Sequence, residues 1–159
     1  MYKPHTTVYS TKIKPEWLDY NNHMNVAYYV LVFDLAFEEL LLSLGLGEDR
    51  AKKTGISTMT LESHITYDQE VSHGQNVEIQ MHLVDHDHKR MHLYLEMYVK
   101  GISGYLASTL EQISMCVDLN ERKSASFPVE VMEKIKDLSQ QQSNLEGPDN
   151  IGRKIGIRR

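Results

Sequence analysis

The densest group of chemically capable side chains lies in Asp19-Tyr20-Asn21-Asn22-His23-Met24-Asn25. Asp19 can serve as base or nucleophile. His23 can serve as acid, base or orienter, and Asn21 and Asn25 as neutral hydrogen-bond partners. The apolar pattern that follows is helical, so this run sits at a helix start, where backbone amides lack partners and carry partial positive charge. A carbonyl oxygen placed there would be polarised, as acyl transfer requires. Carboxylate, histidine and helix start together suggest hydrolysis of an activated acyl group. The same residues are also ordinary turn chemistry, because Asp and Asn bond their own backbone and favour loops and caps. Spacing alone leaves both readings open.

The elements that must position this run follow from periodicity. Thr7-Val8-Tyr9-Ser10-Thr11-Lys12-Ile13 is β-branched and aromatic and predicts a first strand, ended by Pro15. From Asn25, a plausible N-cap, to Leu44 the pattern predicts one long helix, apolar on most of its circumference and so wrapped by the rest of the fold. Asp34, Glu38 and Glu39 form its exposed strip, and Gly45 and Gly47 stop it. Residues 48–55 read as a polar loop. The period then becomes two. Met59, Leu61, Ser63, Ile65 and Tyr67 share one face, Val77, Ile79, Met81 and Leu83 another, and Met91, Leu93, Leu95, Met97 and Val99 a third. A last strand is expected from Tyr105 to Leu119. Short polar turns at residues 85–90 and 100–104 make the last three strands an antiparallel meander. Pro128 can open a final helix. The layout is α+β, one helix against an antiparallel sheet of about five strands. Residues 1–138 form the domain, and 139–159 a polar and then basic tail.

Composition narrows the function classes. With 159 residues, 41% hydrophobic and 25% charged, the chain can bury a core without disulfides or metals. A net charge of −5 argues against a general nucleic-acid binder. The apolar run from Val26 to Leu46 is interrupted by Asp34, Glu38 and Glu39, a poor membrane span. The N-terminus shows no apolar leader. The single cysteine, Cys116, fits a reducing cytoplasm and reads as a buried inert thiol. His86 and His88 with Asp85 and Asp87 could ligate zinc, but on a tight polar turn such residues are commonly just solvated, and no metal is expected. Trp17, Tyr20, Tyr28 and Tyr29 cluster around the candidate site. Aromatic faces attract quaternary ammonium groups, and core packing is the competing use for Tyr28 and Tyr29.

The segment from Trp17 to Asn25, followed by Tyr28-Tyr29, resembles the entry to the central helix of hotdog-fold thioesterases. It is similar to the Asp-x-Asn-x-His-x-Asn pattern of plant acyl-carrier-protein thioesterases, which implies functional roles for Asp19, Asn21 and His23. In the 4-hydroxybenzoyl-CoA thioesterase branch the essential Asp lies ten positions before an aromatic residue of that helix, as Asp19 does before Tyr29. That branch lacks the Asn and His. Leu61-Glu62-Ser63-His64-Ile65 and His86-Asp87-His88-Lys89-Arg90-Met91-His92-Leu93 resemble the betainyl-CoA thioesterases of carnitine breakdown. The resemblance implies a hotdog fold wrapped around one helix and hydrolysis of an acyl-CoA with no cofactor beyond the CoA of the substrate. It also implies a homodimer or homotetramer with sites between subunits. Asp19, Asn21 and His23 would be catalytic, and Trp17, Tyr20, Asn25, Tyr28, Tyr29 and Glu70 would bind substrate. Glu70 stands near an acidic helper of the plant enzymes, and an exposed strand-end carboxylate is its other reading. The rivals are a hotdog hydratase or dehydratase and a non-catalytic acyl-CoA-binding module.

Overall fold

A computed structural model describes residues 6–157. Strand β1 (Thr6–Lys12) is followed by a 3-10 turn at Pro15–Trp17, then the long helix α1 (Val26–Leu44) and a short helix α2 (Glu48–Thr54). Four long strands follow: β2 (Ile56–Tyr67), β3 (Asn76–His86), β4 (Arg90–Val99) and β5 (Tyr105–Asp118). A two-residue β6 (Lys123–Ser124) and helix α3 (Val129–Gln142) complete the chain. All pairings are antiparallel, in the order β1-β3-β4-β5-β2, with β6 on β5. The sheet curls around α1, which is the hotdog architecture that the resemblance implies. No described helix is long and apolar enough to cross a membrane.

Helix α1 begins at Asn25, whose side chain accepts from the Ala27 N–H, and ends at Gly45, whose φ of 85° closes it in the left-handed region. Its face of Val32, Phe33, Ala36, Phe37, Leu40, Leu41 and Leu44 is buried with Ile79, Met81, Met91, Leu93, Leu95 and Met97 of the sheet in one core. The expectation of a helix wrapped all round does not hold within one chain. Val30 and Leu42 are 47% and 51% exposed, on sides turned away from the sheet.

Three further expectations are corrected. Residues 48–54 are helical, not loop; α2 buries none of its side chains, so it has no apolar stripe for periodicity to reveal. In β2 a bulge between Thr60 and Glu62 shifts the register: Met59 opposes Met115, whereas Ser63 opposes Gln112 and Ile65 opposes Leu110. Met59 therefore lies across the sheet from Ser63 and Ile65, not beside them. Finally, the boundary at residue 138 falls inside α3, which runs on to Gln142. That residue is buried, and its amide bonds the main chain of β3: Nε2 donates to the Met81 carbonyl at 3.0 Å, and the Leu83 N–H donates to Oε1 at 2.8 Å. The polar tail then crosses the sheet's outer face, where the Gly152 N–H donates to Glu111 Oε2 at 2.8 Å.

Candidate active site

The loop before α1 is closed at its base by paired main chain at Leu18 and Met24 and stitched to the segment after β2. The Asp19 N–H donates to the His23 carbonyl at 2.9 Å, the Met24 N–H to Val71 at 2.7 Å and the Asn25 N–H to Trp17 at 2.9 Å. At its apex Asn22 takes a φ of 62°, a left-handed conformation that Asn tolerates better than most residues. Asp19 Oδ1 accepts from the Asn21 N–H at 2.8 Å and lies 3.4 Å from the His23 N–H. The carboxylate is thus both a turn-former and a group fixed in place. The two readings of Asp19 describe one geometry.

A depression of about 370 Å³ opens beside this loop, with the first turn of α1 on one side and the segment after β2 on the other. Asp19, Asn21, His23, Tyr29 and Glu70 line it, as do Val26, Tyr67, Asp68 and Gln69. His23 Nε2 lies 3.1 Å from Glu70 Oε2, so the exposed carboxylate and the half-buried imidazole form one unit. Tyr29 is buried, its ring meets Tyr67 edge-on at 5.3 Å, and its hydroxyl donates to the Gln69 carbonyl at 3.4 Å. Burial pushes the Tyr29 phenol above its ordinary range, so at neutral pH it is a neutral donor. The strand-end segment is itself held: the Asp68 and Gln69 N–H groups both donate to the Ala107 carbonyl, and Tyr105 Oη donates to the Glu70 carbonyl at 2.8 Å.

Other candidates lie elsewhere. Trp17 is buried, stacked on Tyr28 at 5.9 Å, with Lys14 Nζ 5.1 Å from its ring centroid. Its π system already has a resident cation. Tyr20 is 95% exposed at the loop apex. Asn25 caps α1, and neither it nor Trp17, Tyr20 or Tyr28 lines the depression. Tyr67, Asp68 and Gln69 were not singled out in the sequence. Their one signal was their place where the apolar alternation of β2 ends, which does not separate a site wall from a loop.

Residues 13–135 match the profile of the Thioesterase-like superfamily, most of the chain. The chain belongs to this superfamily. Among its relatives, the betainyl-CoA thioesterase of Pseudomonas aeruginosa is 37% identical over 151 residues, spanning 95% of this chain and 94% of that one. An L-carnitine dehydrogenase/betainyl-CoA thioesterase of Rhizobium meliloti is 33% identical over 94% of this chain, which matches 30% of the larger protein. Among solved structures, a Staphylococcus aureus hypothetical protein in complex with CoA superposes with a TM-score of 0.90 at 29% identity, covering 99% of both chains. For this thioesterase-like chain the arrangement provides a fixed carboxylate, an imidazole–carboxylate pair and a helix amino end around one depression. Those parts can deprotonate water and polarise a carbonyl.

Proposed function

We propose that this chain hydrolyses an acyl-CoA thioester to a free acid and CoA, and that its substrate is betainyl-CoA. The observation that carries the reading is the convergence of Asp19, the His23–Glu70 pair and the amino end of α1 on one depression. The betainyl group is supported by the 37% identical relative of that name. Asp19, fixed through Oδ1, takes a proton from water as its oxygen attacks the thioester carbon, or attacks that carbon itself to give an anhydride that water then opens. The amino end of α1 stabilises the developing oxyanion. The CoA sulfur leaves as thiolate and is protonated, and His23, oriented by Glu70, is placed to move that proton. Asn21 lies at the rim to orient substrate or water. Water is the only co-reactant, so no cofactor is needed.

The active form is a second-copy assembly. The end of edge strand β2 exposes Tyr67 (49%), and the adjoining flank of α1 exposes Val26 and Val30 (55% and 47%). That apolar band borders the depression, and pairing two copies along it would cover both. The reading places the enzyme in the cytoplasm, where CoA thioesters and a free thiol such as Cys116 both persist. The test is thiol release from a panel of acyl-CoAs. Betainyl-CoA should turn over with the highest kcat/KM, whereas silence across the panel would favour a binding module instead.

A further inference from the structure

We propose that Asp68 is the residue that selects a permanently cationic acyl group. The inference rests on the hydrolase reading above and deepens it. A quaternary ammonium has no N–H to donate, so a protein can recognise it only through aromatic faces and fixed negative charge. The depression supplies both. Tyr29 and Tyr67 form its aromatic corner, and Asp68 directly follows Tyr67 on the same wall. The other two carboxylates of the lining are committed: Asp19 to the loop amides and the chemistry, Glu70 to His23. Asp68 has no part in either. Among the described residues no Lys or Arg lines the depression, although CoA is a polyanion, so the wall's field favours a substrate whose acyl end is positive.

Asp68 is also positioned for the task. Its Oδ2 accepts from Thr66 Oγ1 at 2.7 Å. Thr66 Oγ1 is 2.7 Å from Thr109 Oγ1. Because the Thr66 proton goes to Asp68, the Thr109 hydroxyl must donate to Thr66. Thr109 lies beside Tyr94, and both are buried. Two hydroxyls, Thr109 of β5 and Thr66 of β2, thus lead to the rim of the site and hold one carboxylate at a set place. Thr66 is the positioning residue, and Asp68 the one that faces substrate.

The experiment compares betainyl-CoA with its neutral isostere 3,3-dimethylbutyryl-CoA in the wild type, Asp68→Asn, Asp68→Glu and Thr66→Val, each shown to be folded by its thermal transition. Asn keeps an acceptor for Thr66, so Asp68→Asn should fold. It should lower kcat/KM for betainyl-CoA about tenfold, mainly through KM, the scale of one lost charge contact in a partly screened site. The neutral substrate should stay within about twofold. Asp68→Glu should recover part of the preference, and Thr66→Val should lose part of it. Equal losses on both substrates, or none on either, would overturn the assignment. Calorimetric binding of free glycine betaine gives a readout independent of turnover and should weaken about tenfold in Asp68→Asn. If the wild type released no thiol, the hydrolase reading would fail, and the betaine affinities of wild type and variant would still decide the role of Asp68. Equal affinities would overturn it.

Discussion

Replacing Gln142 by Leu should cost about 2–4 kcal/mol of stability, from two hydrogen bonds at the edge of one strand. Among the described residues β1 pairs with β3 from Asn76 to Met81. At that end of β3 the Gln142 amide bonds the main chain as a strand would, donating to the Met81 carbonyl at 3.0 Å and accepting from the Leu83 N–H at 2.8 Å. Gln142 is 4% exposed. Leu is close in size but leaves a donor and an acceptor without partners. Each orphaned buried group costs about 1–3 kcal/mol, and partial rehydration at an edge keeps the pair toward the lower part of the sum. Gln142→Glu tests the same geometry from the other side. It keeps the acceptor for Leu83 but sets a carboxylate oxygen against the Met81 carbonyl, so it should be no more stable than the Leu variant near neutral pH. Urea unfolding followed by circular dichroism, at one fixed protein concentration, reads the difference. A Gln142→Leu midpoint giving a loss under about 0.5 kcal/mol would refute the reasoning, since this is the range of surface substitutions.

The remaining predictions concern assembly and the thiol. Light scattering at micromolar concentration should give twice the chain mass of 18.4 kDa or a higher multiple, and a monomer mass would contradict the shared band of β2 and α1. Cys116 is fully buried, and burial pushes its thiol up to about 11, so only about a thousandth is thiolate at pH 8. A disulfide reagent should leave the native protein unlabelled and titrate one thiol per chain after denaturation. Stoichiometric labelling of the native enzyme within minutes would show the site open.

The parts of the fold legible in the sequence were those written as a period. The alternation of Val77, Ile79, Met81 and Leu83 and of Met91, Leu93, Leu95 and Met97 places two strands that occur as read, with their buried side toward the helix. Asn25 and Gly45 mark the ends of α1 because caps need particular residue types. What was hidden has physical reasons. Helix α2 has no buried face to betray it. The bulge in β2 inserts a residue without altering composition, so Met59 was read onto the wrong side. Gln142 belongs to a run of three glutamines, and only its bonds to the main chain of β3 distinguish it from its exposed neighbours. In the site, Asp19, Asn21 and His23 are local in sequence, and the loop does bring them to one depression. Glu70 meets His23 across forty-seven positions, a contact that spacing cannot show. Asp68 depends on hydroxyls from two strands, Thr66 and Thr109, and carries no sequence signature. Trp17 and Tyr28 were read toward ligand but stack on each other, because a packed aromatic pair is also what a helix entry needs to fix its angle.

The most direct test of the central claim is CoA thiol release from betainyl-CoA by the wild type and by Asp19→Asn. The Asn side chain can still accept from the Asn21 N–H, now at 2.8 Å from Asp19 Oδ1, and from the His23 N–H, so the loop should keep its shape while losing the charge that activates water or attacks carbon. Turnover should fall at least about a hundredfold with folding intact, the scale of a lost general base. A folded Asp19→Asn enzyme releasing thiol at close to the wild-type rate would remove this carboxylate from the reaction.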